Sequence, residues 1–582
     1  MNFQKLYNIR FLLGIIASLF YSAQAIADVL TVTPVKPGWS HQEVVHGKKW
    51  MVATAHSEAS RAAAGILKAG GNAVDAAITA AIMLTLVEPQ SSGIGGGAFL
   101  LHYDPRKRSL KAYDGRETAP SRANADRFLA ENKSPLAFGD AVNHGLSVGV
   151  PGLLKVLELA HQKGGRLPWN KLLEPTIALA ENGFVISPRL HYLLSTDSFL
   201  RQDEEARKYF YNLQGDPLPA GTLLKNPELA TVLRQVANQG AYFFYSGEIP
   251  DVIVKKVTGR SRAGDLSTGD FQRYQAYERT PVCGPYRIWR VCGMPPPSSG
   301  GIAVLQILGL LERFPIKTLG VQSAEAIHLY SEASRLAFAD RNRYIADPDF
   351  SPAPVEKLLS ESYLRSRSHL IQPDQVMEIV KPGEFPGVRA GGMDSHPELS
   401  GTSHLSIVDS DGQAVSMTST IESAFGSRIM VKGFLLNNQM TDFSFKPEDE
   451  NGLIANRVEA GKRPRSSMSP TMVFGPDGRV EAVLGSPGGE KIISYVAKTL
   501  LGILDAGLDP LAAIRLPNIG NRGKDTELEA ERALDCTARA LTKKGHTIQF
   551  LEMTSGVQAI VRSGDGWQGA ADPRREGKVI GE

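Results

Sequence analysis

Cysteine is scarce: three in 582 residues, at Cys283, Cys292 and Cys536. None has CxxC or other ligand spacing, the twelve histidines are scattered, and no HExxH occurs. The sequence therefore offers no metal centre, and no metal or organic cofactor is expected. "VCGPYRIWRVC" reads as two strands about a turn. There Cys283 and Cys292 either bridge, in an oxidising compartment, or stay plain structural residues. A Lys/Arg-rich block is also missing, and the net charge is only +3, which argues against a nucleic-acid partner. No GxxxxGK[ST] occurs. Gly93, Gly95 and Ala98 satisfy G-x-G-x-x-A, but a helix pattern precedes them and a strand pattern follows, the reverse of a dinucleotide site. No apolar run reaches the roughly 18 residues of a membrane-spanning helix.

What is present begins at the N-terminus. "MNFQKLYNIR" carries Lys5 and Arg10, "FLLGIIASLFY" is a short apolar core, and "SAQAIAD" offers two small-residue cleavage sites. Residues 1–27 read as a secretory signal cut after Ala25 or Ala27, which places the mature chain in the periplasm or outside the cell, with no membrane span. The remainder, in a chain that is 42% hydrophobic, is long enough for two or more domain-sized cores.

Along the chain, "MVATAHSEASRAAAGILKAGGNAVDAAITAAIMLTLVEP" reads as two Ala-rich helices parted by Gly70-Gly71, and "SSGIGGGAFLLHYD" as a glycine loop entering a strand. Residues from about 120 to 370 are largely helical in pattern, with "MPPPSSGGIAVLQILGLLERF" a Pro turn before a buried helix. A Pro-, Gly- and polar-rich stretch over 372–401 reads as a mobile linker. Short alternating strands follow from Thr402 to about 500, including the hairpin "TMVFGPDGRVEAVLGSPGG". Helices, then strands, then a mixed end suggest layered sheets covered by helices.

The junction Gly401-Thr402 carries the chemistry. If the bond between them breaks, Thr402 presents a hydroxyl nucleophile and a free α-amine on one residue. An α-amine titrates near 7.7–8.0, so near neutrality much of it can accept the hydroxyl proton. This is the threonine–amine version of an activated nucleophile. The β-methyl restricts χ1 and limits the orientations of the oxygen. Gly401, without a Cβ, lets the hydroxyl approach its carbonyl. Thr402 is thus equipped to cut its own chain by an N-to-O acyl shift and hydrolysis. "GSPGGEK" supplies Gly488 and Gly489 at a tight turn, where backbone N–H groups can receive a developing oxyanion.

Ordered motifs run along nearly the whole mature chain: "GGNAVDAAI", "EPQSSGIGGGAF", "DGRETAP", "VGVPG", "MPPPSSGG", "RLAFADRNRYIADPDF", "TSHLSIVDSDGQAVSMTSTIESAFGS", "LLNNQMTDFS", "GKRPRSSMSP", "GSPGG" and "AADPRREG". Together they resemble the γ-glutamyltranspeptidase family of N-terminal-nucleophile hydrolases. The resemblance implies an α+β fold, a four-layer αββα sandwich built jointly by a large subunit (28–401) and a small subunit (402–582) that stay together as a heterodimer. It implies Thr402 as nucleophile, Thr420 as its support and Gly488-Gly489 as oxyanion hole. Arg116, Ser466 and Ser467 would hold the donor's α-carboxylate, and Gln439 and Asp442 its α-amine. That division suits a zwitterionic head, since Arg is the forked partner of a carboxylate and Asp442 balances an ammonium. The implied substrates are glutathione and other small γ-glutamyl compounds, with water or an amino acid or peptide as acceptor.

Three features depart from the family's pattern. Glu422 stands where Asn is usual, as a further contact to the donor amine; a second carboxylate beside Asp442 either strengthens amine binding, holds a proton, or marks a branch acting on other acyl groups. The stretch from Phe443 to Arg465 is short for a lid, which predicts an open site. "LPNIGNRG" also lacks the family's usual histidine. Three rivals follow: an acylase on glutaryl-type amides, a serine hydrolase at Ser147 in "GLSVG", and a binding protein that kept the fold but not the chemistry. The serine reading is weakened by "VPG", which delays the helix a nucleophile elbow requires.

Overall fold

The computed structural model describes residues 39–260, 262–388, 391–394 and 401–582. The expected signal segment lies outside them. Two seven-stranded sheets carry the fold. Their strands, in chain order, are β1 (Val45–Gly47), β2 (Met51–Thr54), β3 (Gly97–Asp104), β4 (Ser109–Gly115), β5 (Tyr277–Arg279), β6 (Val282–Tyr286) and β7 (Trp289–Gly293). After the linker come β8 (Gly401–Val408), β9 (Ala414–Glu422), β10 (Thr471–Phe474), β11 (Val480–Gly485), β12 (Gln558–Ser563), β13 (Gly566–Ala571) and β14 (Lys578–Gly581). One sheet runs β14-β2-β8-β9-β3-β4-β5 and the other β1-β13-β12-β11-β10-β7-β6. All their ladders are antiparallel.

The first sheet is buried on both faces, so alternate residues enter different cores. Val52, Leu100, Leu405, Ile407, Val415 and Met417 pack with α1 (Ser57–Lys68) and α2 (Ala73–Val87). Met51, Ala53, Phe99, Leu101, Val408 and Ala414 face the second sheet, whose core continues into α3 (Gly300–Leu311), α4 (Ala324–Tyr344) and α5 (Lys491–Leu504). Every residue of α2 is buried, which accounts for its small, apolar composition. Its first turn is fixed reciprocally: the Asn72 side chain accepts from the N–H groups of Val74 and Asp75, and the Asp75 carboxylate accepts from Asn72 N–H.

Three expectations need correction or sharpening. Met51–Thr54, read as the start of a helix, is a strand; pairing with β8 and β14, hundreds of residues later in the chain, decides it. Cys283 and Cys292 are joined in a disulfide across β6 and β7, leaving Cys536 free and exposed. The linker lacks helix or strand over 372–388, yet it is tied down. Val376 N–H donates to Lys544 C=O (2.8 Å), Met377 N–H to the Glu332 carboxylate (2.6 Å), and Gly383 N–H to Asp340 (2.8 Å).

Candidate active site

Strand β8 begins at Gly401 and pairs with β9 through a register shift between Gly401 and Thr402. From Thr402 onward the opposed residues are Thr402–Thr420, His404–Thr418 and Ser406–Ser416. These polar pairs lie on one face, and that face looks at the second sheet: Ser406 Oγ donates to Gln558 C=O and Ser416 Oγ to Leu484 C=O, 3.0 Å each. The alternation seen in the sequence is thus a polar row buried between two sheets, tolerated because its members hydrogen-bond to one another and to carbonyls of the second sheet. His404, two residues from Thr402, bonds to Thr418 Oγ1 (2.8 Å) and lies against Gly485 at the end of β11. Burial pushes its imidazole down to about 3, so the ring is neutral.

The hydroxyls of Thr402 and Thr420 form a directed chain. Thr402 Oγ1 donates to Thr420 Oγ1 (3.2 Å), and Thr420 Oγ1 donates to the Gly401 carbonyl (2.8 Å) while accepting from Glu422 N–H (2.8 Å). The Gly401 carbonyl is the acyl side of the bond expected to break. Gly401 admits no substitute, because a Cβ there would sit 2.4 Å from the Ser423 carbonyl carbon and 2.5 Å from Glu422 O. Glu422 has φ +81°. Its carboxylate accepts from Ser423 Oγ (2.5 Å) and from Asn438 Nδ2, so in the continuous chain it is engaged by neighbours of its own loop.

The residues expected to grip the donor form a second, adjoining group. Arg116, 1% exposed, donates from Nη2 to Asp442 (2.5 Å) and to Arg465 C=O (2.7 Å), and from Nε to Pro464 C=O (3.2 Å). Gln439 Nε2 also donates to Asp442 (2.6 Å). Asn438 couples this group to Glu422. Ser466 follows Arg465, and its backbone is held by Ser299. Ser467 Oγ accepts from Arg341 Nη2 (2.8 Å), and Arg341 also donates to Glu490 (3.1 Å), next to Gly488-Gly489. These two glycines, with φ +140° and +58°, turn the chain from β11 into α5. Tyr495 lies where a Gly488 Cβ would be, at 2.6 Å.

The structure therefore joins Thr402, Thr420 and Glu422 directly, and Arg116, Asp442 and Gln439 directly. Ser466, Ser467 and the glycine pair connect through Arg465, Arg341 and Glu490. Among the described residues neither glycine hydrogen-bonds Thr402. None of the eight candidate side chains other than the glycines exceeds 4% exposure, so the open site expected from a short lid is not seen in the continuous chain. Residues 391–394 help cover it. Met393 N–H donates to Asp449 (2.8 Å), and Asp394 pairs with Arg465 (3.0 Å) and Asn456 (2.8 Å). Ser147 is excluded as a nucleophile by its bonding: its hydroxyl donates to the carbonyls of Val142 and His144, 2.8 Å each, inside a short turn.

Four participants escaped the sequence reading, although each lies within or beside a quoted motif. Arg341 sits in "RLAFADRNRY" and Arg465 in "GKRPRSSMSP". Arg575 of "AADPRREG" donates to the Thr402 carbonyl (3.2 Å). Glu117, beside Arg116, is fully buried; neither carboxylate oxygen finds a hydrogen-bond partner among the described residues, and Arg116 Nη1 stands 3.8 Å away. Burial raises its carboxyl to about 7 against the pull of Arg116.

Comparison with known proteins agrees with this geometry. The family model described as gamma-glutamyltranspeptidase matches residues 59–582. The chain is 38% identical over 541 residues to the glutathione hydrolase proenzyme of Escherichia coli (strain K12), covering 91% of each. It is 36% identical over 561 residues to the proenzyme of the same name from Bacillus subtilis (strain 168), covering 94% of each. Among solved structures it is similar to a cephalosporin acylase from Bacillus halodurans, with TM-score 0.81 and 28% identity over 95% of this chain and 99% of that one. With a match across nearly the whole described chain and a self-directed hydroxyl at Gly401-Thr402, this chain belongs to the γ-glutamyltranspeptidase family.

Proposed function

We propose that this chain is the precursor of a glutathione hydrolase/γ-glutamyltransferase that cuts itself between Gly401 and Thr402. The observation that carries the reading is the hydroxyl chain from Thr402 through Thr420 to the Gly401 carbonyl. Thr402 Oγ attacks that carbonyl carbon and gives up its proton; Thr420 stabilises the oxyanion; the C–N bond breaks and the nitrogen takes the proton that the hydroxyl released. Water then hydrolyses the Gly401 ester. Gly401 becomes a carboxylate terminus and Thr402 an α-amine terminus.

In the mature enzyme Thr402 Oγ attacks the γ-carbonyl of the donor and its own amine takes the hydroxyl proton. Gly488 and Gly489 N–H groups receive the oxyanion, and the amine returns the proton to the leaving nitrogen. Water or an acceptor amine releases the γ-glutamyl group from the ester. Arg116, Ser466 and Ser467 bind the α-carboxylate, and Gln439, Asp442 and Glu422 the ammonium. The donor carboxylate then displaces Asp442 from Arg116, freeing Asp442 for the ammonium. Two facing sheets with α1 and α2 on one side and α3 and α5 on the other support a four-layer αββα arrangement. Both sheets combine strands from before and after Thr402, hydrogen-bonded side by side, which supports a heterodimer that stays together after the cut. The Cys283–Cys292 bond supports a periplasmic or secreted location reached through the signal 1–27.

The test is N-terminal sequencing of the smaller chain together with hydrolysis of a γ-glutamyl anilide. Two chains, the smaller starting at Thr402, and turnover lost in Thr402→Ala are the expected results. A glutaryl-amide acylase remains the second reading, favoured by Glu422 being tied to Asn438 and by the similarity to a cephalosporin acylase. Faster turnover of glutaryl than of γ-glutamyl anilide would select it.

A further inference from the structure

The nucleophile proposed above needs its α-amine unprotonated, and an ordinary α-amine is only partly so at neutral pH. Arg575 is placed to bear on this. Its Nη1 donates to the Thr402 carbonyl (3.2 Å) and its Nη2 to the Thr554 carbonyl (3.3 Å), and the side chain lies over Gly556, where a Cβ would meet Cδ at 2.7 Å. Gly556 also abuts Pro487 and its N–H donates to Ser486 Oγ (3.3 Å), so Arg575 bridges the Thr402 strand and the turn that holds Gly488-Gly489. Both Thr402 and Arg575 are buried, at 3% and 6% exposure.

We propose that Arg575 is a positioning residue for the Thr402 chain end, anchoring its carbonyl and biasing the adjacent α-amine toward its proton-accepting form. The inference rests on the reading of Thr402 as an N-terminal nucleophile. The nitrogen and carbonyl oxygen of one residue are about 3 Å apart, so the guanidinium comes within about 6 Å of the amine. A cation at that distance in a buried site disfavours a second positive charge. A neutral donor would anchor the carbonyl equally well but exert no such bias.

The other charges facing Arg575 are Glu88, in the loop after α2, and Arg189, at the start of the helix Pro188–Thr196, together with Tyr495 of α5 and Asp572 of its own segment; Glu576 adds a carboxylate beside Glu88. Burial raises the Glu88 carboxyl, which weakens it as a counter-charge. Burial lowers the Arg575 guanidinium to about 9, with Arg189 adding to the effect, which leaves it charged through the neutral range.

The experiment compares pH profiles of kcat/KM for γ-glutamyl-anilide hydrolysis by wild type, Arg575→Gln and Arg575→Lys, each first shown by N-terminal sequencing to start at Thr402. Arg575→Gln should move the acid limb up by about one pH unit with a smaller change at the alkaline plateau. Arg575→Lys, whose buried ammonium keeps its charge over part of this range, should move the limb less than Arg575→Gln does. Arg575→Met repeats the test should Arg575→Gln fail to mature. A wild-type limb in the charge-removing variants, with Thr402 at the N-terminus, overturns the role of Arg575 alone. An active wild-type enzyme without an N-terminal Thr402 overturns the nucleophile reading and this inference with it.

Discussion

Replacing Thr420 by valine removes one hydroxyl and almost no volume, so it isolates the hydrogen bonds of that oxygen. Three are lost: the bond donated to the Gly401 carbonyl (2.8 Å), and those accepted from Glu422 N–H (2.8 Å) and Thr402 Oγ1 (3.2 Å). Only the first strengthens as Thr402 attacks, because negative charge then builds on Gly401 O. Loss of one such donor costs roughly 100- to 1,000-fold in rate, about 2.7–4 kcal/mol. The abandoned Glu422 N–H adds about 1–3 kcal/mol of instability, which a thermal melt reads separately. The assay is the fraction of newly folded precursor cut with time on a denaturing gel. Thr420→Ser, which retains the oxygen, should mature within about tenfold of wild type, the lost methyl costing rotamer definition. A folded Thr420→Val that matures at the wild-type pace refutes the hydroxyl chain as the device of self-cutting.

Gly401→Ala should fail to mature or do so far more slowly, since its methyl meets backbone atoms at 2.4–2.5 Å that cannot swing away; unchanged cutting kinetics on the same gels would contradict this. Arg116→Lys in the mature enzyme should lower kcat/KM for γ-glutamyl anilide about 10- to 100-fold, the equivalent of one or two charged hydrogen bonds, with glutaryl anilide affected alike because both keep the carboxylate. For acid stability, the folded state holds His404 neutral down to about 3, whereas the unfolded chain takes up a proton near 6.5. Stability should therefore fall as pH drops below about 6.5, by about 2 kcal/mol at pH 5 from this residue alone. Urea midpoints at pH 7.5 and 5 should differ less in His404→Gln than in wild type; an equal difference would show that His404 is protonated in the fold.

Much of the site can be read from local sequence. The alternation after Thr402, the hairpin in "TMVFGPDGRVEAVLGSPGG", and the tight turn at Gly488-Gly489 are short-range signals, and each appears where its pattern places it. The Cys283–Cys292 pair is equally local, being opposed across one hairpin. What the sequence conceals is long-range. Met51–Thr54 looks continuous with an Ala-rich helix and becomes a strand only because β8 and β14 flank it. Arg575 reaches Thr402 across 173 residues, and Asp394 closes on Arg465 from the other side of the Gly401-Thr402 bond. The cover over the site in the continuous chain is hidden for the same reason, since a short lid says nothing of linker residues such as Asp394 that reach Arg465.

The most direct measurement is to treat the exported, purified protein with a γ-glutamyl analogue bearing an electrophilic phosphorus at the γ-position and to locate the adduct by peptide mass spectrometry. One adduct is expected, on the first residue of a chain that begins at Thr402, with full loss of hydrolysis. An active protein whose adduct lies on any other residue, or on an uncut chain, would contradict this reading.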